Sequence, residues 1–599
     1  MIIAADHEWD RNGHIDILGL AWDQGKSMTA VDRTPYTLQQ HLDIMRRADL
    51  VVMQNGLDAD VMALQREGVD VSWLIPKVYD TRLAFFAINN HLAGTGSFDL
   101  RSIALLAGER NGYRWGLEHK QYESDIHRTC SMDAACCAWL YPTLDRQIRN
   151  LKLEPTLDIL HRCQPIFSLM HAQGIRLDKR VLEQIHAARQ QKATDIVERY
   201  HLWETRGKRV VKRVPIWRSD KILDKFQELF GVRPKSRQRK VWEKLSTDSM
   251  LSPEGREFAA AVLDLGKAAN DATFVGKAEE QEDGSLDFSK VNADGFIFPR
   301  YDLCGSPDRA IASGPNIAQW PRPKDDPREV KLRSAVLPLQ DDHVILGVDL
   351  GSVETYTTAI EMDDWDRVRA IQEGRVSHQG TADMINQTFG LSLDRNQGKV
   401  LNHAADKCES PFNTATRLFK TDRPSRQQVL QCRNIFMRML QDYPKTAQFR
   451  DSLWEKARSN PLVVTNLFGR RLMCFSRSRY GDANERFAKH DPAKAYWCSC
   501  SECAPRRERF KFAVAFIGRS SAFDALLRIM ARIFYEKRLD DYSLPVLEAH
   551  DELDFSIPIE KAQYYAQRAL EAFQEPVPEL GGISLPAEAK VGANWSEAH

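Results

Sequence analysis

The segment Leu547–Phe555, with the sequence LEAHDELDF, most constrains how this chain can fold. A short apolar run that turns at a carboxylate pair predicts a β-hairpin near the C-terminus. About two hundred residues earlier, a second apolar run, Val344–Leu350, carries Asp349 near its end. Two acidic strand ends can share a pair of divalent ions roughly 3.5 to 4 Å apart, the arrangement that drives two-metal phosphoryl transfer. The sequence therefore predicts a sheet with a two-metal site at Asp349 and Asp551.

Length and composition indicate a globular protein of several domains. A chain of 599 residues is too long for one core, so three or more domains are expected. Its hydrophobic content of 43% and charged content of 28% describe a globular protein. Met1–Asp6 has no basic leader, and no apolar run is long enough to span a bilayer, so we expect no membrane partner and a cytoplasmic location.

Charge is balanced overall but uneven along the chain. The formal net charge is zero, yet the range 206–244 holds fourteen Lys and Arg residues against four Asp and Glu residues. A local basic stripe of this kind suits contact with nucleic-acid phosphates. The alternative is a pair of solvated, charged helices.

Hydrophobic periodicity indicates several α/β and helical regions. Strands are predicted at Ile15–Leu20 and Leu50–Met53, and a helix at Leu38–Arg47. Helical spacing runs from Leu157 to Glu204 with a break at Gly174–Asp178, returns between Trp365 and Ala457, and ends the chain near Ala562–Phe573.

A second set of carboxylates lies near the N-terminus. Asp6 and Glu8 share one face of the first predicted strand, because alternate strand residues point the same way. Asp60 follows where a strand gives way to a helix, and Asp133 lies on a later helix. In this order the four residues resemble the DEDD class of 3′–5′ exonucleases. That resemblance implies that Asp6, Glu8, Asp60 and Asp133 bind two metal ions that activate a water.

One position departs from that class. A tyrosine usually stands four residues before the last aspartate and orients the water, whereas Thr129 stands there in this chain. Tyr122 and His127 are nearby but lack the spacing. The exonuclease fold and full exonuclease activity are therefore two separate expectations.

The C-terminal part resembles the family A DNA polymerases, and its layout is similar to that of the bacteriophage members of this family. Asp349–Glu354 resembles the first palm motif, and His550-Asp551-Glu552 resembles the last. The resemblance implies that Asp349 and Asp551 bind the catalytic metals, that Glu552 belongs to the same catalytic motif, and that His550 lies at the substrate. It also implies that Glu354 blocks a ribose 2′-hydroxyl.

Further motifs carry the same resemblance. Arg395 and Lys399 lie four residues apart on one helical face, as a triphosphate clamp requires, and resemble the fingers helix that receives the nucleotide. Other matches are Arg309 and Pro315–Ile317 at the primer terminus, Thr465–Arg471 at the return to the palm, and Gly174–Asp178 at the thumb. An exposed basic helix face is the alternative reading of the Arg395–Lys399 pentapeptide alone.

Four positions differ from the family pattern. On the continuation of the Lys399 face lie His403 and then Lys407-Cys408, where the family commonly has Tyr-Gly beside the templating base pair. Arg519 replaces a glutamine that reads the minor groove, and Lys511 stands where a primer-contacting arginine is frequent. Nucleotide selectivity is therefore expected to be unusual.

The resemblance implies an α/β multidomain fold, with an RNase H-like 3′–5′ exonuclease domain followed by a right-hand polymerase domain of palm, fingers and thumb. It also implies two Mg²⁺ or Mn²⁺ ions per active site. The implied partners are primer-template DNA and dNTPs, and the resemblance allows a processivity factor or other replication proteins as further partners. If a phage encodes the chain, the location is the host cytoplasm, and a separate 5′-nuclease domain is expected to be missing. The expected boundaries are exonuclease 1–145, thumb and palm entry 146–330, first palm part 331–369, fingers 370–455, and second palm part 456–599 with a Cys-rich insertion 472–510.

A cysteine cluster lies in that insertion. Cys498, Cys500 and Cys503 have the spacing of zinc ligands, and Cys474 or His490 would complete the tetrahedral site that zinc prefers. The alternative is three free thiols, which the odd total of 11 cysteines also permits.

Two rival functions remain open at this point. One is a nuclease whose degenerate polymerase half is a DNA-binding platform, which Lys407-Cys408 would favour. The other is a non-enzymatic replication scaffold, which would not need the acidic residues.

Overall fold

The computed structural model describes residues 1–9, 14–22, 26–31, 35–107, 125–206, 212–216, 219–248, 250–281, 286–320, 332–421, 423–476, 500 and 503–598. Its N-terminal region is a five-stranded sheet with helices packed against it. The elements are β1 (Ile2–Trp9), β2 (Ile15–Trp22), β3 (Lys26–Val31), α1 (Pro35–Arg47), β4 (Leu50–Met53), α2 (Asp60–Arg66), β5 (Val78–Asp80), α3 (Thr81–Asn89), α4 (Leu100–Leu106) and α5 (Ile126–Leu151).

The strand order is β3-β2-β1-β4-β5. The central strand β1 pairs antiparallel with β2 and parallel with β4, and the helix α5 packs on β1 and β2. The predicted strands at 15–20 and 50–53 and the predicted helix at 38–47 are confirmed. The boundary expected at 145 falls inside α5, because the buried stripe Leu140, Leu144 and Ile148 carries the helix past that position.

The middle region is mainly helical, as expected. Its elements are α6 (Glu154–Gln173), β6 (Ile175–Arg176), α7 (Lys179–Arg199), β7 (Trp203–Arg206), β8 (Lys212–Pro215), α8 (Lys221–Phe230), α9 (Arg239–Thr247), α10 (Pro253–Val275), β9 (Ala278–Glu280), β10 (Leu286–Phe288), β11 (Phe296–Ile297), β12 (Arg300–Asp302) and β13 (Ile311–Ser313). Phe226, Trp242 and Phe258 form the centre of a separate small core here.

The basic stripe of this region is partly neutralised. Arg233 pairs with Asp224 at 2.9 Å, and Arg237 pairs with Asp220 at 2.8 Å. Arg239 pairs with Glu243 at 2.7 Å, one turn along α9. The stripe therefore carries less unpaired positive charge than the sequence count indicates, since its few acidic residues lie directly beside its arginines.

The C-terminal region is a four-stranded antiparallel sheet with a large helical insertion. Its elements are β14 (His343–Leu350), α11 (Val353–Glu361), α12 (Trp365–Gln372), α13 (His378–Phe389), α14 (Arg395–Asp406), α15 (Pro411–Leu418), α16 (Arg426–Asp442), α17 (Pro444–Lys456), β15 (Leu462–Thr465), β16 (Arg471–Cys474), α18 (Cys503–Tyr535), β17 (Leu547–Glu548), β18 (Glu552–Pro558), α19 (Ala562–Gln574) and β19 (Ala587–Gly592). The strand order is β17-β18-β14-β19.

The long helix α18 packs closely against α11, which follows the central strand β14. Gly518 permits this approach, because a Cβ at that position would lie 2.0 Å from Thr358 Oγ1. The hydroxyl of Thr357 donates to the Gly518 carbonyl at 2.8 Å. The end of β14 and the start of α11 are thereby held against the rest of the region.

Two expected boundaries of this region fall within regular secondary structure. The boundary at 369 lies inside α12, and the expected Cys-rich insertion 472–510 overlaps β16 at one end and α18 at the other. The strand β16 includes Cys474, and α18 already begins at Cys503, because its buried face starts with Cys503, Ala504, Arg509 and Phe510. Within the described ranges, no helix is long and apolar enough to cross a bilayer.

Candidate active sites

Three carboxylates of the N-terminal sheet form the first acidic site. Asp6 and Glu8 project from β1, and Asp133 projects from α5, which packs across that strand. Oxygen atoms of the three side chains lie within 4.8 Å of one another. Carboxylate oxygens at this spacing are the ligands that Mg²⁺ and Mn²⁺ prefer.

The charges in the first acidic site repel one another. Burial raises the pKa of Asp6, and the neighbouring Asp60, Asp133 and Glu8 raise it further. Burial, followed by the charge of Glu8, raises the pKa of Asp133 to about 7. The ionised cluster is therefore unfavourable by itself, and a divalent cation would relieve the repulsion.

Asp60 is adjacent to this site but held differently. Its charge raises the pKa of both Asp6 and Glu8, so it lies close to them. Its Oδ1 atom is 2.7 Å from His7 Nδ1, and His7 Nε2 is 3.0 Å from His41 Nε2. The structure thus brings the four expected carboxylates into one neighbourhood, with the fourth oriented by a buried histidine pair.

The sequence analysis did not identify His7 and His41 as members of the site. Both are buried, and burial together with His7 lowers the pKa of His41. His7 lies between Asp6 and Glu8 in the sequence, which was a visible signal. Its contact with Asp60 depends on tertiary packing and had no signal of its own.

The hydroxyl of Thr129 does not substitute for the missing tyrosine. It donates to the backbone carbonyls of Asp125 at 2.9 Å and Ile126 at 3.0 Å, within its own helix. Tyr122 and the side chain of His127 lie outside the described residues. Within the described part of the chain we therefore identify no tyrosine in the water-orienting role at the first acidic site.

Asp349 and Asp551 form the second acidic site. The register of β14 and β18 places Asp349 opposite Glu552, and the Leu350 amide donates to the Asp551 carbonyl at 3.0 Å. The intervening hairpin turn is closed by the Ala549 amide, which donates to the Glu552 carbonyl at 3.1 Å. The predicted hairpin is confirmed, and the two aspartates lie at the same end of the sheet.

The turn itself is shaped by His550 and Glu548. His550 is exposed and adopts φ 74°, the left-handed region. Its amide donates to Glu548 Oε1 at 2.9 Å. Burial raises the pKa of Glu548 to about 8, opposed by this hydrogen bond and reinforced by Asp551 and Glu552. Glu548 was missed by the sequence analysis because it reads as an ordinary strand residue.

Glu552, the third residue of this motif, lies beside Asp349 in the sheet. It is only 1% exposed, and its Oε1 atom accepts a hydrogen bond from Trp595 Nε1 at 2.8 Å. This contact fixes the carboxylate against the C-terminal segment. The catalytic role expected for Glu552 stays a prediction.

The helix α14 presents a basic face. It begins with a capping box in which the Asp394 side chain accepts from the Gln397 amide and the Gln397 side chain accepts from the Asp394 amide. Arg395 and Lys399 are both exposed, four residues apart. Gly398, on the opposite side, packs against α13, where a Cβ would lie 2.0 Å from the His378 carbonyl oxygen.

His403 continues this face, and His378 at the start of α13 lies beside it. The His403 ring lies 5.6 Å from the His378 ring, centroid to centroid. Burial lowers the pKa of His378 to about 4, and His403, Lys399 and Arg395 contribute. Burial and then Lys407 lower the pKa of His403. Both imidazoles are therefore neutral at pH 7.

The remaining predicted residues lie near the second acidic site or along α18. Lys407 Nζ is 3.3 Å from Glu354 Oε1, and Arg519 Nη1 is 2.8 Å from Asp308 Oδ2. Burial raises the pKa of Glu548 and of Cys408, and Arg309 lies close enough to oppose the rise at Glu548, as Lys511 does at Cys408. The structure thus gathers Arg309 and Glu354 with the site.

The hairpin formed by β15 and β16 is anchored on α18. Arg470 and Asp524, both buried, form an ion pair, and the Asn466 side-chain amide donates to Asp524 at 2.8 Å. Glu361 of α11 accepts from the Leu467 amide at 2.8 Å and from Ser521. The segment 465–471 is therefore held against α11 and α18.

The cysteine cluster is only partly described. Cys498 and His490 lie outside the described residues. Cys474, Cys500 and Cys503 are buried in one hydrophobic cluster, and the Cys503 amide lies 3.4 Å from Cys500 Sγ. Whether these thiols share a metal with Cys498 stays a prediction.

Comparison with known proteins gives consistent matches. The sequence model of the family described as DNA polymerase family A matches residues 288–597, which contain the whole second acidic site and α14. DNA polymerase I of Streptococcus pneumoniae is 23% identical over 627 residues, covering 98% of this chain and 63% of that protein. Thermostable DNA polymerase I of Thermus aquaticus is 25% identical over 297 residues, covering 48% of this chain and 31% of that protein.

One solved structure is similar over the whole chain. It is described as the POL domain of Pol1 from M. smegmatis in complex with DNA primer-template and dNTP. The TM-score is 0.72 at 15% sequence identity, covering 100% of this chain and 96% of that chain. At this identity the match shows a shared fold. The chain spans about 63% of the length of its S. pneumoniae relative.

Proposed function

The chain belongs to DNA polymerase family A, and from this premise we propose that it is a template-directed DNA polymerase with a 3′–5′ proofreading exonuclease. The observation that carries the polymerase proposal is the pairing of β14 with β18, which brings Asp349 and Asp551 to one end of a sheet. Primer-template DNA and dNTPs, the molecules bound to the M. smegmatis domain, are the proposed partners.

Asp349 and Asp551 would hold two Mg²⁺ or Mn²⁺ ions. When bound, such ions activate the primer 3′-hydroxyl and neutralise the leaving pyrophosphate. Arg395 and Lys399 bind the triphosphate from the exposed face of α14. Glu354 lies at the sugar, while His550, Arg309, Lys511 and Arg519 contact the primer-template. The right-hand arrangement assigns the four-stranded sheet to the palm, α13–α17 to the fingers and α7–α10 to the thumb.

The second proposed activity belongs to the N-terminal sheet. Asp6, Glu8 and Asp133 lie within ligand distance of one another, with Asp60 beside them, and would hold the ions that activate a water against the terminal phosphodiester. The mutual repulsion of these carboxylates supports a cation at this position. A bacteriophage origin, a cytoplasmic location and a processivity factor complete the proposal.

A labelled primer-template tests this function directly. The wild type is expected to lengthen the primer when dNTPs are present and to shorten it when they are withheld. Asp551→Ala is expected to abolish lengthening and to leave shortening intact. Extension by Asp551→Ala equal to that of the wild type would refute the metal-ligand assignment, and a wild type that only shortens the primer would establish the nuclease alternative.

Zinc at the cysteine cluster is a separate proposal. Cys500 and Cys503 flank the start of α18, and Cys498 would be a third ligand. Cys474, which lies in the same buried cluster, or His490 would be the fourth. Metal analysis of the purified protein is expected to give one zinc per chain. A value well below one would end the proposal.

A further inference from the structure

A single ion pair joins the proposed nucleotide-binding helix to the proposed sugar gate. Lys407 follows directly after α14, and Glu354 lies in the first turn of α11, immediately after the strand that carries Asp349. Their side chains meet at 3.3 Å between Nζ and Oε1. The two elements are distant in sequence, so this contact depends on how the helical insertion is set on the sheet.

The spacing along α14 separates Lys407 from the phosphate-binding cations. Residues rise about 1.5 Å each along an α-helix, so Arg395 and Lys399 lie about 6 Å apart, while Lys407 lies about 12 Å beyond Lys399. If Arg395 and Lys399 hold the triphosphate, Lys407 is beyond the phosphates, at the sugar and base end. Its partner Glu354, the proposed sugar gate, lies at the same end of α14.

The surroundings of Lys407 hold it in place. Its amide donates to the His403 carbonyl at 3.0 Å, and the next residue, Cys408, is buried at 5% exposure. The side chain of Lys407 is 36% exposed. Burial lowers the pKa of His403, the charge of Lys407 lowers it further, and the charge of Glu354 opposes the shift. The three groups therefore lie close together.

The carboxylate of Glu354 needs a fixed direction to act as a gate. A free glutamate side chain loses rotamer entropy when it is ordered. With 30% of the side chain exposed, Glu354 is not immobilised by packing alone. The ammonium group supplies a charged hydrogen-bond donor that selects one orientation.

We propose that Lys407 is a positioning residue that holds Glu354, and that their ion pair sets the discrimination between deoxyribonucleoside and ribonucleoside triphosphates. This inference rests on the proposed polymerase function and deepens it. It assigns a role to the position where the chain departs from the Tyr-Gly pattern. Lys407 acts through charge and geometry, so its effect depends on ionic strength, whereas an aromatic side chain would act by stacking.

Single-nucleotide insertion with a dNTP and with the matching rNTP tests the proposal. Lys407→Met keeps the length of the side chain and removes the charge, and the ratio of kcat/KM for dNTP to that for rNTP is expected to fall roughly fivefold, about 1 kcal/mol. Lys407→Arg is expected to restore most of the ratio. Raising the salt concentration is expected to lower the ratio of the wild type and to leave that of Lys407→Met unchanged.

A double-mutant cycle and a matched lysine provide the controls. If Lys407 acts through Glu354, Lys407→Met has no further effect on the ratio in the Glu354→Ala background. Lys445→Met removes an exposed lysine of α17, away from the gate, and is expected to change neither ratio nor rate. An unchanged ratio in Lys407→Met, or an equal fall in the Glu354→Ala background, would overturn the inference. A wild type that inserts no dNTP would instead refute the proposed function.

Discussion

The two acidic sites of this protein are assembled in different ways. In the N-terminal site, side chains from a strand and a crossing helix converge, and the buried carboxylates raise one another's pKa. In the C-terminal site, backbone pairing of β14 with β18 sets Asp349 and Asp551 side by side, while Glu552 behind them is tied to Trp595. The first site depends on side-chain charge balance, and the second depends on strand register.

The sharpest way to separate the sites is to remove one ligand of the first. Asp6→Asn is expected to lower excision of a labelled single strand about 1,000-fold, because several kcal/mol of transition-state stabilisation depend on the metal site. Primer extension is expected to stay close to wild type. Asp16→Asn, at an exposed carboxylate of the same sheet, is the matched control. Full excision by Asp6→Asn would remove the first site from the account.

A smaller effect is expected from the histidine that holds Asp60. His7→Ala removes the Nδ1 donor 2.7 Å from Asp60, and a lost partner of a metal ligand typically costs about 10- to 100-fold in metal affinity or activity. The metal concentration for half-maximal excision is the readout, with His14→Ala, at an exposed histidine, as the control. An unchanged metal requirement would show that Asp60 needs no support.

Lowering the pH is expected to weaken metal binding at the first acidic site, because protons compete with the metal ion for the carboxylates. Because the pKa of Asp133 is raised to about 7, this carboxyl is largely protonated at pH 6 and largely ionised at pH 8. The Mg²⁺ concentration for half-maximal excision should therefore rise about tenfold between pH 8 and pH 6. Titration of Mg²⁺ at both pH values measures it. A constant requirement would contradict the raised pKa.

The smallest expected effect concerns a carboxylate behind the second site. Burial raises the pKa of Glu361 to about 7, although the Leu467 amide and Ser521 donate to it. A raised folded-state pKa gives stability that is fully present below the ordinary value of 4.5 and is lost as the pH rises through 7.

Glu361→Gln removes this dependence. Its stability relative to wild type should increase by about 1 kcal/mol between pH 6 and pH 7. Guanidinium unfolding at both pH values measures the difference, and Glu560→Gln, at an exposed position, controls for charge removal. A pH-independent difference would show that Glu361 is ionised throughout.

Much of this arrangement follows from the sequence, and the exceptions have physical reasons. Strand alternation places Asp6 with Glu8, and an apolar run with an acidic turn predicts the hairpin at Asp551. The His7–Asp60 contact and the Lys407–Glu354 ion pair join elements whose approach depends on tertiary packing. The expected insertion overlaps the start of α18, because a helix start rich in Arg and Glu resembles a polar loop in the sequence, although one face of it is buried.

The central claim is that two separate metal sites support two separate activities. The most direct test measures primer extension and single-strand excision on one preparation of Asp349→Asn. The account predicts that extension falls about 1,000-fold and that excision stays at the wild-type rate. Extension retained at the wild-type rate, or both activities lost together in a variant with wild-type unfolding behaviour, would contradict it.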